Sequence, residues 1–169
     1  MLFISTPSRM ETSRIYKSFI EGDQRHYFVP CPICGEMQIL VLKGAGKEHG
    51  LTFGMKKETR TSARVLDPKS VRYICEFCHG EFTEANKQDM LLKGKWIPTW
   101  QKTEHKPKSL NHKSYNNQGL ISPFLAWERI CQQFVNTEFG KNLMLFKDFT
   151  INYMGRPWAS QLAIVTGKP

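Results

Sequence analysis

Cys31-Pro32-Ile33-Cys34 and Cys75-Glu76-Phe77-Cys78 decide the fold of this 169-residue chain. A Cys-x-x-Cys turn can present two sulfurs to one ion, and zinc takes four soft ligands at roughly 2.3 Å, so two such turns complete one tetrahedral shell. The spacing therefore predicts a structural Zn2+ held by Cys31, Cys34, Cys75 and Cys78, with no open position for water. Disulfides or a redox dithiol are the competing uses of these cysteines. Disulfides suit a secreted chain, but Met1-Leu2-Phe3-Ile4 runs at once into polar Ser5 and Thr6, unlike a signal peptide. A thioredoxin-type site needs one pair in a βαβ pattern, and here there are two matched pairs. Gly35 and Gly80 follow the pairs and are expected to supply the positive φ with which a knuckle turns back into a strand. His79 adjoins a ligand and is expected outside the shell.

Working outward, the pattern predicts an α+β chain: a small four-cysteine zinc ribbon with short strands, flanked by short helices and a C-terminal helical hairpin. Leu2-Phe3-Ile4 reads as the end of a strand leaving into Ser5-Thr6-Pro7. Ser13 to Ile20 reads as a helix stopped by Gly22. Gln24 to Val29 alternates as a strand entering the first knuckle, and Met37 to Leu42 returns from it. The forty residues between Cys34 and Cys75 exceed what a ribbon needs and read as a long hairpin or mobile loop. Val71 to Ile74 enters the second knuckle, Glu81-Phe82 leaves it, and Thr83 is expected to cap a helix from Glu84 to Lys93. Ala85, Met90 and Leu91 of that helix are expected to face the ribbon, which Trp96-Ile97-Pro98 closes. Ser122-Pro123 reads as the cap of a further helix with Leu125, Trp127, Ile130, Cys131 and Phe134 on its apolar stripe, and Cys131 is expected in the core. A second helix, Asn142 to Tyr153, is expected to pack antiparallel to it. The resulting divisions are 1–23, 24–98 for the ribbon with its basic insert, 99–118 as a basic linker, 119–159 as a helical connector and 160–169 as a tail.

Net charge is +9, and its location is informative. Residues 43–72 carry eight Lys/Arg against three acids and residues 93–113 carry six against one. Clustered cations on loops neutralise phosphates and release counterions, so duplex DNA is the expected partner, with Lys56, Lys57, Arg60 and Arg64 as contacts. Few aromatics are interleaved, so stacking on single strands is weakly supported. No apolar run approaches the ~20 residues that span a bilayer, so an intracellular chain with no membrane partner is expected. Gly44-Ala45-Gly46-Lys47 is a decoy phosphate loop. Val41 and Glu48 stand where the fingerprint needs a glycine and a Ser/Thr, so no ATP site is expected, and no carboxylate cluster or nucleophile set suggests catalysis.

Together the motifs resemble the large subunit of phage DNA-packaging terminases of the lambda GpA-like type. Leu2-Phe3-Ile4-Ser5-Thr6-Pro7 is similar to the strand and Ser-Thr-Pro motif late in that family's ATPase domain, so the resemblance implies that Ser5 and Thr6 are remnants of a motif coupling hydrolysis to DNA movement. Ser13-Arg14-Ile15-Tyr16 and Gly22 to Gly35 resemble the approach to the family's zinc knuckle, and Val71 to Cys78 the second knuckle. Leu120-Ile121-Ser122-Pro123-Phe124 parallels a Tyr-Ser-Pro-Trp type stretch, and Asn152 to Trp158 parallels one that precedes the nuclease domain, with Arg156 where the family usually has an acid. Gln161 to Pro169 matches nothing in the family. The resemblance implies part of a packaging motor in the bacterial host cytoplasm: the end of the ATPase domain, the zinc segment and the connector to the nuclease. Its partners would be double-stranded DNA, the terminase small subunit and the procapsid portal, with no turnover by this stretch itself. The other functional class is a freestanding zinc-ribbon adaptor that binds DNA or a protein.

Overall fold

The computed structural model describes residues 2–44, 48–58 and 64–159. Helix α1 (Arg14–Glu21) starts where the Ser13 hydroxyl accepts the Tyr16 N–H and ends at Gly22, whose N–H returns to the Phe19 carbonyl. Strand β1 (Arg25–Pro30) follows, and the first knuckle turns it into β2 (Met37–Ile39). The long insert is a hairpin of β3 (Gly50–Lys57) and β4 (Arg64–Ile74), and the second knuckle joins β4 to β5 (Glu81–Phe82). A 3-10 turn at Glu84–Asn86 leads into α2 (Lys87–Leu92), then β6 (Lys95–Pro98), β7 (Tyr115–Asn116), α3 (Trp127–Asn136) and α4 (Leu143–Asn152).

Two small sheets result. In the first, β1 pairs antiparallel with β6 along one edge and with β2 along the other, where β7 adds a short parallel pairing at Arg25 and His26. The second has the order β3-β4-β5, antiparallel throughout, with an irregularity between Thr52 and Gly54. Each sheet thus sends one hairpin, β1–β2 or β4–β5, into a knuckle. The core lies between the second sheet and α3: Tyr73 stacks on Phe82 at 5.2 Å and approaches Trp127 at 5.8 Å, with Leu51, Met90 and Ile130 buried around them. Burial raises the Tyr73 phenol above its ordinary pKa, and its oxygen accepts the Val41 N–H at 3.1 Å. Phe134 of α3 meets Phe146 and Phe149 of α4 through ring contacts. Cys131 is fully buried on α3, as its place on the apolar stripe predicts.

Four sequence expectations are corrected. Leu2–Ile4 forms no strand: no neighbouring strand lies beside it among the described residues, and all three side chains stay exposed. The chain is instead tied down just afterwards, where the Met10 N–H donates to the Trp158 carbonyl and the Trp158 N–H to the Ser8 carbonyl. Thr83 makes no side-chain cap, and Ala85 is exposed although Met90 is buried and Leu91 half-buried. The helix expected from Ser122-Pro123 begins only at Trp127, after a 3-10 turn at Gly119–Ile121. Its first N–H is capped from another element, by the Glu84 carboxylate at 2.7 Å.

The stretch 99–118 is not a free linker. The Gln24 side-chain amide donates to the His105 carbonyl, the Ser114 hydroxyl to the Phe19 carbonyl, and the Gln118 amide to the Leu40 carbonyl. Asp23 accepts the Ser114 N–H and faces both Arg25 and Lys113. Burial alone would raise the Asp23 pKa, but the Ser114 N–H and the two cations outweigh it and hold the carboxyl below the ordinary value.

Candidate metal centre

The two knuckles are built alike. In each, the N–H two residues after the first cysteine points at its sulfur: Ile33 to Cys31 and Phe77 to Cys75, both at 3.4 Å. The Cys31 N–H donates to the Glu36 carbonyl and the Cys75 N–H to the Gly80 carbonyl, which closes each turn. Four residues after the first cysteine the backbone enters the left-handed region, at Gly35 with φ 79° and at His79 with φ 55°. The expectation for Gly35 therefore holds, whereas in the second knuckle the left-handed residue is His79 rather than Gly80. At Gly80 a Cβ would meet the tip of the exposed, movable Ile33 side chain and lie 3.3 Å from the Cys78 sulfur.

All four sulfurs lie within 4.8 Å of one another. Cys31 and Cys78 are 3.9 Å apart, as are Cys34 and Cys75, so each close pair joins one knuckle to the other. A tetrahedral ion bonded at roughly 2.3 Å requires sulfurs about 3.8 Å apart, so this donor set fits a metal. It does not fit disulfides, which need about 2.05 Å, and all five cysteines are free thiols. Cys31 and Cys75 are buried while Cys34 and Cys78 reach the surface. Burial pushes the Cys31 thiol up to about 12, whereas the Cys75 thiol, also raised by burial, is brought below its ordinary value by the N–H groups of Cys78 and Phe77. His79 is exposed and stands outside the cluster, as expected.

The other residues singled out by sequence lie elsewhere. Lys57 and Arg64 are directly opposed across the end of the β3–β4 hairpin, and both are exposed. Lys56 is beside them, 3.8 Å from Asp67. Arg60 lies outside the described residues, as do Ala45, Gly46 and Lys47 of the decoy loop and the tail from 160 onward. Ser5 and Thr6 are exposed, and the Ser5 hydroxyl donates to the Thr6 carbonyl at 3.1 Å. Ser5, but not Thr6, borders a groove of about 590 Å³ between the N-terminal segment, α1 and the first sheet, which also contains His26 and His112. No Asp or Glu lines it. Burial lowers the His26 pKa, assisted by the charge of Arg156. Cys131 is fully buried, and burial together with the charges of Glu84 and Glu128 raises its thiol to about 12.

The phage terminase large subunit gpA ATPase-domain family model matches residues 1–96, more than half of the chain. The chain belongs to this family. Within this gpA-family chain the match runs through both knuckles and ends inside β6. No curated protein and no solved structure matches it. No helix among the described residues of the terminase chain is long and apolar enough to cross a membrane.

One feature of the terminase chain had no sequence signal. Lys87 is almost completely buried, donates to the Leu125 carbonyl at 2.6 Å and to Glu84 at 3.3 Å, and lies over the Trp127 ring at 5.6 Å. With the Glu84 cap on Trp127, it ties α2 to the start of α3.

Proposed function

We propose that this chain is part of a phage DNA-packaging terminase large subunit in which a structural Zn2+ locks two hairpins into a connector between the ATPase and endonuclease parts. The observation that carries this reading is the set of four sulfurs at tetrahedral spacing, contributed equally by two knuckles 41 residues or more apart in sequence. Cys31, Cys34, Cys75 and Cys78 would hold the ion, which supplies a cross-link and no reactive position. The chain's own contribution is orientation. The Ile33 and Phe77 N–H groups steady the sulfurs, and Tyr73, just before the second knuckle, anchors the joint in the core. A connector role is supported by the ties between Ser8, Met10 and Trp158, between Gln118 and Leu40, and between Lys87 and Leu125, which join the parts into one piece. In the intact motor Ser5 and Thr6 would serve coupling, the stretch itself would be non-catalytic, and the small subunit and portal would be partners in the host cytoplasm.

Duplex DNA would be touched by Lys56, Lys57, Arg60 and Arg64. Like charges directly opposite one another on paired strands are destabilising, so the Lys57–Arg64 pairing favours a bound anion. The test is duplex binding followed by fluorescence anisotropy as salt is varied. Each neutralised contact should lower the slope of log K against log salt by about 0.9. If neutralising all four leaves affinity and slope unchanged, the DNA reading fails.

A further inference from the structure

We propose that Gln38 is a positioning residue for the metal centre: its side-chain oxygen docks the second knuckle on the first and slows the escape of the ion. This rests on the reading of the four cysteines as ligands of one ion. Gln38 lies in β2, beyond Cys34, and is only 1% exposed. A buried side-chain amide requires a hydrogen-bond partner, and here the partner comes from the other hairpin. The Glu76 N–H, immediately after Cys75, donates to Gln38 Oε1 at 3.2 Å. Because the facing group is a donor, the end of the amide that meets it is the oxygen. The Nε2 end has no partner among the described residues, so the oxygen is what this side chain contributes.

The two knuckles differ at this point. Their turns are alike, but the residue after the first cysteine is Pro32 in one and Glu76 in the other. Proline has no N–H, so the first knuckle has no donor to satisfy there. The second offers a donor beside its buried ligand, and Gln38 takes it from 38 residues away in sequence. Tyr73 ties the same two hairpins a step deeper, its hydroxyl accepting the Val41 N–H and donating to the Ile39 carbonyl at 3.4 Å. Both links are made by protein groups alone.

Cys34 and Cys78 reach the surface, whereas Cys31 and Cys75 are buried. The ion can loosen from the exposed pair with the knuckles in place, but it leaves only when the buried pair parts. That separation draws Glu76 away from Gln38. Without the Gln38 oxygen, the Glu76 N–H lacks an acceptor while the knuckles are together and gains water when they part, which favours parting.

Transfer of zinc from the loaded full chain to an excess of a chromogenic pyridylazo chelator tests this through a double-mutant cycle. Q38M is compared in E76A and in E76P chains, so the Glu76 charge is absent throughout. Pro32 holds the equivalent place in the first knuckle, so the turn accommodates proline. In the E76A chain, Q38M should speed zinc loss roughly tenfold, the effect of orphaning one donor. In the E76P chain there is no N–H to orphan and the Gln38 oxygen is itself unpaired, so Q38M should leave the rate unchanged or slow it. A glutamine that only fills space would give the same acceleration in both. Equal acceleration in the two chains, or none in E76A, overturns the proposal. Should E76A/Q38M fail to fold, E76P/Q38M must still fold and hold zinc, and if it does not the proposal falls as well. Zinc held equally by all four chains removes only the role of Gln38, whereas a wild-type chain that binds no zinc removes the metal reading and this proposal with it.

Discussion

Replacing Lys87 with Met is expected to destabilise the folded chain by about 2 kcal/mol, because the ammonium group is the fastening between α2 and the segment entering α3. Its hydrogen bond to the Leu125 carbonyl, charged and at 2.6 Å, is worth roughly 1.5–3 kcal/mol. The position over the Trp127 ring adds about 1–2 kcal/mol for a desolvated cation. The pair with half-exposed Glu84 contributes under about 1 kcal/mol. Against these, methionine fills a similar volume without a charge to desolvate, which returns a few kcal/mol. The sum is a moderate loss, with the Leu125 carbonyl left unpaired. Burial holds the Lys87 pKa below the ordinary lysine value even though Glu84 opposes the shift. The folded state therefore binds this proton less tightly than the unfolded chain. Stability from this group rises as pH passes the lowered folded value and is complete only above the ordinary value near 10.4. Urea unfolding of zinc-loaded protein, followed by tryptophan fluorescence at about pH 8 and about pH 10, measures both effects. A K87M midpoint within about 0.5 kcal/mol of wild type, or an alkaline rise as large in the variant as in wild type, refutes the reasoning.

Further outcomes follow from the same geometry. Asp23→Asn removes the ion pairs to Arg25 and Lys113 and should cost about 1–3 kcal/mol near neutral pH. Since the Asp23 pKa is lowered in the fold, that contribution is present above the ordinary aspartate value and lost as pH falls through the lowered one. Melting curves at neutral and acid pH should therefore show the wild type and the variant converging in acid, and a constant gap contradicts this. Cys75→Ala should unfold the two hairpins, because metal binding in such sites contributes on the order of 10–16 kcal/mol, more than many domains possess in total. Circular dichroism that stays native without metal counts against it. His79→Gly relieves a left-handed non-glycine residue and should raise stability by about 1 kcal/mol without changing metal content. A loss of bound metal would mean that His79 touches the ion.

What the sequence carried legibly was whatever chemistry repeats at fixed spacing. The four ligands could be read because Cys-x-x-Cys is set by the ion, and β1, α1 and the apolar stripe of α3 followed from periodicity and turn residues. The insert read as a hairpin or a loop because its irregularity near Gly54 breaks the alternation, and pairing alone resolved it. The stretch 99–118 looked like linker because its attachments, the two-residue pairing of β7 with β1, scattered backbone bonds such as Asp23 N–H to the His112 carbonyl, and side-chain bonds from Gln24, Ser114 and Gln118, leave no pattern along the chain. The start of α3 was misplaced for a related reason: its cap, Glu84, sits 43 residues away. Lys87 was invisible as well. A lysine in an amphipathic helix reads as solvated surface until its Leu125 and Trp127 partners are in place.

X-ray absorption at the zinc edge, combined with metal analysis of purified protein, tests the joint most directly. One zinc per chain with four sulfur neighbours at about 2.3 Å is the predicted result. A metal-free folded chain, or a shell containing nitrogen or oxygen in place of a cysteine sulfur, would contradict it.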